Sequence, residues 1–201
     1  MKQIKNFSDI AFTDEVKKVQ DEMGSRKQYS SLDVYTMNTI LTARELGFIT
    51  NRDSFYMGTV NSSGFPYVQF RGGPVGFLKV INDKTLGMID FNGNKQYIST
   101  GNLRENNNAS LFLMNYKDQQ RLKIWVETEV LSIDELKEKG LYEKLHNKDY
   151  KTREERAYIF QVKAFDWNCP KHIPRKYTLE EISEILGIDL IENLEELRSK
   201  L

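Results

Sequence analysis

The chain contains a single cysteine, Cys169, and only two histidines among its 201 residues. One cysteine forms no disulfide within the chain and builds no cysteine-rich zinc site, so neither device stabilises this fold. Because Cys169 precedes a proline and has no evident activating base, a catalytic thiolate is not expected. The two histidines, His146 and His172, lie far apart in sequence, which argues against a transition-metal centre.

An excess of basic residues is also missing, since lysine plus arginine and aspartate plus glutamate both number 29. Nucleic-acid-binding proteins usually carry a basic surplus, and the mixed clusters at 17–18 and 148–156 indicate solvated surface. No apolar run approaches the roughly 20 residues that span a bilayer, and the N-terminal segment lacks the apolar core of a signal peptide. We therefore expect a cytoplasmic protein that binds neither nucleic acid nor membrane.

Hydrophobic residues make up 39% of the chain and charged residues 29%, which is typical of a globular domain with a substantial core. The length fits one domain with helical additions better than two domains. Within that one domain we distinguish an N-terminal helical segment (1–50), a central β-rich region (51–170) and a C-terminal arm with helices (171–201).

Helix signals dominate the first quarter of the chain. Thr13 predicts the N-cap of a helix that ends at Met23, with Gly24 beyond its end. A second helix is predicted from about Leu32 to Leu46, with Gly47 at its stop. Near the other terminus, Thr178 and Glu181 predict a capping box that opens the C-terminal helices.

From residue 55 onward the pattern changes to short strands separated by turn residues. The predicted strands are 55–60, 67–71, 77–81, 86–91, 109–116, 121–131 and 157–167. A short helix within 94–107, broken at Gly101, and a longer helix over 133–146 interrupt them. Roughly six strands at such short spacing predict a mainly β fold with flanking helices, in which an antiparallel sheet closes into a six-stranded barrel.

The segment from Arg71 to Lys79 interrupts the strand pattern with three glycines and a proline. Glycine allows the backbone to approach a ligand closely, and its amide groups can face an anion. Arg71 and Lys79 add positive charge at both ends of this loop. An ordinary hairpin loop would show the same pattern, so a ligand-binding loop and a plain turn both stay open.

The segment from Asp90 to Tyr97 ends a strand, turns at Asn92-Gly93 and enters a predicted helix. Amide groups at a helix N-terminus favour a phosphate, and Lys95 adds a positive charge at this point. A helix start with an ordinary surface lysine remains the alternative interpretation.

Two further segments carry polar or aromatic side chains at strand ends. Arg121 and Lys123 lie on one face of a long strand and point either to solvent or into a polar ligand site. Trp167 and Asn168 open a stretch with two prolines, which makes the backbone extended and stiff. Such an aromatic arm suits packing over a planar ring system, although an interface loop would have the same composition.

Together these segments resemble the FMN-binding split barrel of pyridoxamine 5'-phosphate oxidase relatives, and within that superfamily the bacterial "predicted flavin-nucleotide-binding" proteins. The resemblance depends on five strings that run in the family's order from Phe12 to Tyr177, namely FTDEVKKVQDEMGSR, SFYMGTVNSSGFPYVQFRGGPVGFLKV, DFNGNKQYISTGNL, RLKIW and DWNCPKHIPRKY. It implies a six-stranded split barrel that forms a homodimer, with two FMN sites at the subunit interface.

The resemblance also implies which residues contact FMN. The phosphate would lie at Asn94, Lys95 and Gln96, where the family has a Ser-Arg-Lys sequence, and Arg71 with its glycines is our own addition. The predicted cofactor-binding residues are Arg71, Gly72, Gly73, Phe77, Leu78, Lys79, Ile89, Asp90, Phe91, Asn94, Lys95, Gln96, Arg121, Leu122, Lys123, Trp167 and Asn168.

The implied activity is that of an FMN-dependent oxidoreductase with a reductase or a small molecule as its partner. The oxidase itself ends in a basic substrate-binding segment, whereas this chain has WNCPKHIPRKY there, so no catalytic residue is carried over. The alternative is a non-catalytic flavin carrier or a sensor of redox state or ligand. A third hypothesis places haem or a deazaflavin in the same barrel, with His172 as the candidate haem ligand.

Overall fold

The computed structural model describes residues 4–33, 35–188 and 190. Its strands are β1 (Ser54–Val60), β2 (Pro66–Gly72), β3 (Lys79–Asn82), β4 (Thr85–Phe91), β5 (Asn108–Asn115), β6 (Gln120–Ser132) and β7 (Glu154–Trp167). Its helices are α1 (Ser8–Ala11), α2 (Asp14–Glu22), α3 (Arg26–Tyr29), a 3-10 turn (Ser30–Asp33), α4 (Ala43–Thr50), α5 (Ile98–Glu105), α6 (Ile133–Glu138), α7 (Tyr142–Leu145) and α8 (Leu179–Leu186). Among the described residues, no helix is long and apolar enough to cross a membrane.

All seven strands belong to one antiparallel sheet in the order β2-β1-β5-β6-β7-β4-β3. The expectation of a mainly β fold with flanking helices is therefore confirmed, but the sheet has seven strands instead of six. In the described part of the chain no ladder joins β2 to β3, so backbone hydrogen bonds do not close the sheet. The short strand β3 adds the seventh member by pairing with β4 across the turn at 83–84.

The sheet is nevertheless strongly coiled. In a flat sheet, five strand spacings would separate β2 from β4, which is about 24 Å. Instead, Nη1 of Arg71 on β2 lies 2.5 Å from Oδ1 of Asp90 on β4. The two ends of the sheet therefore face each other and are joined by side chains.

The coiled sheet encloses the main core. Alternate residues of β1 and β6 point inward, as the period of two requires, and β4 is buried on both faces. The rings of Phe55 on β1 and Phe160 on β7 meet at 6.4 Å although two strands separate β1 from β7 in the sheet. A second cluster lies under α6 and α7, on the other face of β4 and β7, and consists of Ile89, Leu131, Leu136, Leu145, Ala157 and Ile159.

The predicted helix from Leu32 to Leu46 is wrong. Residues 35–42 have no regular helix, because the amide of Leu41 donates to the carbonyl of Asp83 in the β3–β4 turn and its side chain is buried. Helix α4 begins only after Thr42 and continues through Gly47. The helix ends three residues later at Thr50, so Gly47 does not stop it.

The other helix predictions differ in outcome. Thr13 caps α2 through the amide of Val16, and the Thr178 capping box opens α8, so both predictions are confirmed. The helix predicted over 133–146 consists of α6 and α7, which are interrupted where Gly140 adopts a φ of 68°. Helix α5 passes through Gly101 without a break.

Helix α4 is attached to the end of β7 by Glu45. Its Oε1 accepts a hydrogen bond from Nε1 of Trp167 at 2.6 Å, and its Oε2 accepts from the amide and hydroxyl of Thr42. Burial raises the pKa of Glu45, but the hydrogen bonds from Thr42 and Trp167 outweigh it, and the pKa lies below its ordinary value. Glu45 as a residue is only 3% exposed, so these donors replace the water that a carboxylate would otherwise bind.

We expect Glu45→Gln to lower the free energy of unfolding at neutral pH by about 1–2 kcal/mol, since hydrogen bonds to a charge become bonds to a neutral amide. A lowered folded pKa means that this stabilisation is present above the unfolded pKa and is lost as the pH falls through the folded pKa. Urea unfolding at several pH values measures both effects. Glu135→Gln, in the exposed capping box of Ser132, is the matched control and should cost less. The expectation would be contradicted if both variants lost the same free energy of unfolding. It would also be contradicted if the difference between wild type and Glu45→Gln stayed the same at acid pH.

Candidate functional site

A small cavity lies where the two ends of the coiled sheet meet. Its volume is about 150 Å³, and β2, β4, β7, α5 and the loop before α5 form its wall. Arg71, at the start of the glycine-containing loop 71–79, and the turn at 92–97 are separate motifs in the sequence, and both line this cavity. The predicted residues that line it are Arg71, Asp90, Phe91, Asn94 and Lys95. We call it the Asp90 cavity.

Asp90 is the buried acid of this cavity. Its Oδ1 accepts from Nη1 of Arg71 at 2.5 Å, and its Oδ2 accepts from Nη1 of Arg156 at 3.4 Å and from the hydroxyl of Tyr158 at 3.3 Å. Burial raises the pKa of Asp90 above its ordinary value, and the two guanidinium groups and the Tyr158 hydroxyl oppose that rise. One carboxylate thus holds two arginines from different strands in fixed positions.

Arg156 uses its donors within the protein. Its Nη1 also donates to Oγ1 of Thr100 at 3.0 Å, and its Nη2 donates to Glu155 at 2.8 Å. The guanidinium lies 4.5 Å from the ring centroid of Tyr97. These contacts connect β7 to the first turn of α5, so Arg156 mainly stabilises the cavity wall.

Three other donors at the cavity lack an acceptor. Nε of Arg71 is buried and has no hydrogen-bond partner among the described residues. Nζ of Lys95 makes no hydrogen bond or ion pair with any residue that the structure describes. Helix α5 begins at Ile98, and its N-cap residue Tyr97 provides no side-chain cap for the first amide groups. An anion placed here would satisfy a guanidinium, an ammonium and a helix N-terminus together.

The loop before α5 holds an uncommon backbone conformation. Lys95 and Tyr97 both have positive φ values, 59° and 55°, although neither is glycine. The amide of Gln96 between them donates to Oδ1 of Asn94. Left-handed non-glycine residues cost on the order of 1–3 kcal/mol each and cluster at ligand sites. The strain therefore supports a binding role for this turn.

Several predicted residues face the interior instead of the cavity. Phe77, Leu78 and Leu122 are fully buried in the main core, and Ile89 is buried in the second cluster. The side chain of Gln96 is exposed outside the cavity wall.

The glycine loop has a packing role as well. A Cβ on Gly73 would lie 2.8 Å from Cγ of Phe77, so this position requires glycine whatever the loop binds. Gly72 ends β2 beside Ser54 and does not line the cavity. Lys79 lines a neighbouring cleft with His146.

The remaining predicted residues lie far from the Asp90 cavity, at the start of β6 and at the end of β7. Trp167 is eleven residues after Arg156 on the same strand, which corresponds to about 36 Å in an extended strand. There, Nζ of Lys123 lies 3.4 Å from Oδ2 of Asp166. The backbone amide of Asn168 donates to the carbonyl of Arg121. Nε of Arg121 is buried without a partner in the described chain. One protomer does not bring these residues and the Asp90 cavity to one small molecule.

The sequence did not predict part of the cavity wall. Arg156 lies in the mixed-charge cluster 148–156, which indicated solvated surface. The only sequence signal for its burial is that the apolar strand predicted from residue 157 begins directly after it. Gln69 alternates with Arg71 on β2, so the period of two could have identified it. The unpredicted lining residues are Gln69, Gly93, Tyr97, Ser99, Thr100, Glu155 and Arg156.

Comparisons with solved structures give matches of low sequence identity. An FMN-binding protein from Syntrophomonas wolfei is 19% identical, with 78% of this chain and 96% of that chain covered and a TM-score of 0.47. A putative pyridoxamine 5'-phosphate oxidase from Lactobacillus delbrueckii is 15% identical, with coverages of 64% and 94% and a TM-score of 0.48. HupZ from Group A Streptococcus is 13% identical, with coverages of 68% and 100% and a TM-score of 0.46.

Comparison with curated proteins finds no match. The family model described as pyridoxamine 5'-phosphate oxidase, however, matches residues 41–167, which run from just before α4 to the last residue of β7. This region is more than half of the chain and includes the whole sheet and the Asp90 cavity. The protein therefore belongs to the pyridoxamine 5'-phosphate oxidase family.

Proposed function

We propose that the protein binds FMN with the phosphate in the Asp90 cavity and acts as a flavin-dependent oxidoreductase on a small molecule. The observation that carries this proposal is the convergence of three donors without acceptors: Nε of Arg71, Nζ of Lys95 and the N-terminus of α5. A phosphate monoester is the anion that these donors fit, because it offers three acceptor oxygens and close to two negative charges.

The size of the cavity limits what it holds. Small-molecule sites commonly measure roughly 300–1,000 Å³, whereas the Asp90 cavity measures about 150 Å³. It therefore has room for the phosphate end of FMN but not for the whole cofactor. The ring system would lie outside the cavity, against surfaces that include the exposed rim residue Tyr97.

A homodimer would complete the site. The outer face of β1 and β2 exposes Tyr56, Val68 and Phe70 at 39%, 63% and 58%, and such a contiguous apolar patch is typical of an interface. In a dimer, Arg121, Lys123 and Asn168 of one protomer are the groups available to the flavin of the other. The coiled sheet would then be the split barrel that this family uses.

The protein's own residues bind and orient the cofactor. Asp90 holds Arg71 in place by a charge-assisted hydrogen bond, so the guanidinium is preorganised for the phosphate. When bound, the flavin supplies hydride and electron transfer. A cation beside the ring, such as Arg121 or Lys123, would favour the anionic reduced form by its charge.

A non-catalytic flavin carrier or sensor is the second candidate. One observation favours it: both acids of the Asp90 cavity, Asp90 and Glu155, are engaged with arginines, so neither is available for proton transfer. The haem hypothesis has less support. His172 is exposed on the C-terminal arm and does not line the Asp90 cavity.

We expect the protein purified in air to be yellow, with the absorption spectrum of oxidised flavin and one FMN per chain. Size-exclusion chromatography with light scattering should give a dimer. A colourless preparation that does not take up added FMN, or a haem Soret band, would contradict the proposed cofactor.

Lys95→Ala should weaken FMN binding by about 1.5–3 kcal/mol, or roughly 10- to 150-fold, because it removes one charge-assisted contact to the phosphate. Flavin fluorescence quenching measures the dissociation constant. Lys84→Ala, on the exposed β3–β4 turn, is the matched control. Riboflavin lacks the phosphate, so its affinity should be the same in wild type and Lys95→Ala. Unchanged FMN affinity would place the phosphate elsewhere.

The oxidoreductase proposal predicts that the bound flavin is bleached anaerobically by NADH, NADPH or a partner reductase and is reoxidised by a small-molecule acceptor. Stopped-flow absorbance follows both half-reactions. Tight FMN binding without turnover across a broad panel of reductants and acceptors would favour the carrier instead.

A further inference from the structure

A second cleft lies beside the Asp90 cavity. It measures about 410 Å³, and its wall includes Lys79, His146, Asn147 and Tyr150. We call it the His146 cleft. Phe91 of the Asp90 cavity contacts Tyr150 with ring centroids 5.0 Å apart, so this aromatic pair lies between the two sites.

His146 is held by a carboxylate and an aromatic ring. Its Nδ1 lies 2.7 Å from Oε1 of Glu154, whose side chain is only 16% exposed. The other oxygen of Glu154 accepts from the hydroxyl of Tyr142 at 2.9 Å, and the Tyr142 ring stacks on the imidazole. Both the position and the rotation of the imidazole are therefore constrained.

This arrangement selects one tautomer. An ionised carboxylate accepts a hydrogen bond, so Nδ1 carries the proton, and in the neutral imidazole Nε2 then has the free lone pair. The hydrogen bond to Glu154 raises the pKa of Tyr142, so the phenol also remains a donor. Nε2 makes no hydrogen bond with any described residue, although His146 lines the cleft.

The same cleft offers donors without acceptors. Nδ2 of Asn147 is buried and has no partner among the residues described. Nζ of Lys79 makes no ion pair or hydrogen bond within the described chain. Lys148 adds a second positive charge and Asp149 a negative one, while Val75 and Tyr150 supply apolar surface. The free groups are thus suited to a small anion with an apolar body.

We propose that the His146 cleft binds a small organic carboxylate through Lys79 and Asn147, and that His146 exchanges a proton with this ligand through Nε2. In the forward direction the ligand's X–H bond breaks, its electron pair stays on X, and the proton bonds to Nε2. Glu154 is a positioning residue that compensates the imidazolium charge, and the reverse step returns the proton. No oxidant or reductant takes part, and the proposal does not depend on FMN binding.

Because the chain has only two histidines, nitrogen-15 NMR of the full-length protein tests the tautomer directly. We expect His146 to be protonated on Nδ1 with a free Nε2, and Glu154→Gln to abolish that preference while His172 is unchanged. Tyr142→Phe keeps the Glu154 contact and should keep the tautomer, which separates a specific effect from a general loss of structure. In the neutral ring of wild-type His146, a proton on Nε2 instead of Nδ1 would overturn the proposal.

Benzoate serves as the carboxylate probe, with FMN present at saturation so that the first site is constant. Its titration should give a saturable shift of the His146 Nε2 signal and none at His172. Lys79→Ala should weaken benzoate at least tenfold, whereas Lys84→Ala should not. A linear shift at both histidines, or unchanged affinity in Lys79→Ala, would overturn the proposal. FMN affinity measured on the same samples shows separately whether the proposed cofactor site holds.

Discussion

The ion pair between Arg71 and Asp90 is the contact on which the arrangement of this fold depends. It joins β2, at one edge of the seven-stranded sheet, to β4, the second strand from the other edge, and in the described part of the chain no backbone ladder connects these two strands. Replacing one partner of a buried pair leaves an uncompensated charge, so both residues are constrained together. The carboxylate also fixes Arg156 and Tyr158, and the wall of the cavity is therefore made by the same interactions that bring the sheet ends together.

The structural role of these ion pairs determines which groups remain free for the binding role that we propose. Asp90 and Glu155 are occupied by guanidinium groups, so the cavity is suited to holding an anion and not to moving a proton. The proton exchange that we propose takes place a short distance away, at His146, whose ring is fixed by Glu154 and Tyr142. A flavoprotein organised in this way would separate cofactor retention from acid–base chemistry, with Phe91 and Tyr150 between the two regions.

Local patterns in the sequence predicted most strands, because buried Phe55 with Met57 and buried Leu122 with Ile124 alternate with less buried neighbours as a one-sided sheet requires. The juxtaposition of Arg71 with Lys95 was also predicted, with Lys95 taken from the family resemblance and Arg71 added by our own reasoning from its charge. The helix over 32–46 failed since Leu41 is buried by a distant turn, which local periodicity does not reveal. Arg156 was missed because charged clusters usually lie in solvent. The distance between Trp167 and the cavity follows from the length of β7, whose first residues the sequence analysis assigned to solvated surface.

The contact between Glu45 and Trp167 has a consequence for the architecture of the chain as a module. These residues are 122 positions apart, yet they touch, and they lie close to the two boundaries of the region that matches the family. The entry and exit of that region are therefore neighbours in space. A domain whose termini are adjacent tolerates insertion into a surface loop of another protein. It also tolerates circular permutation, because a short linker can join its original termini. The N-terminal helices and the C-terminal arm are then additions attached at one common point on a self-contained sheet.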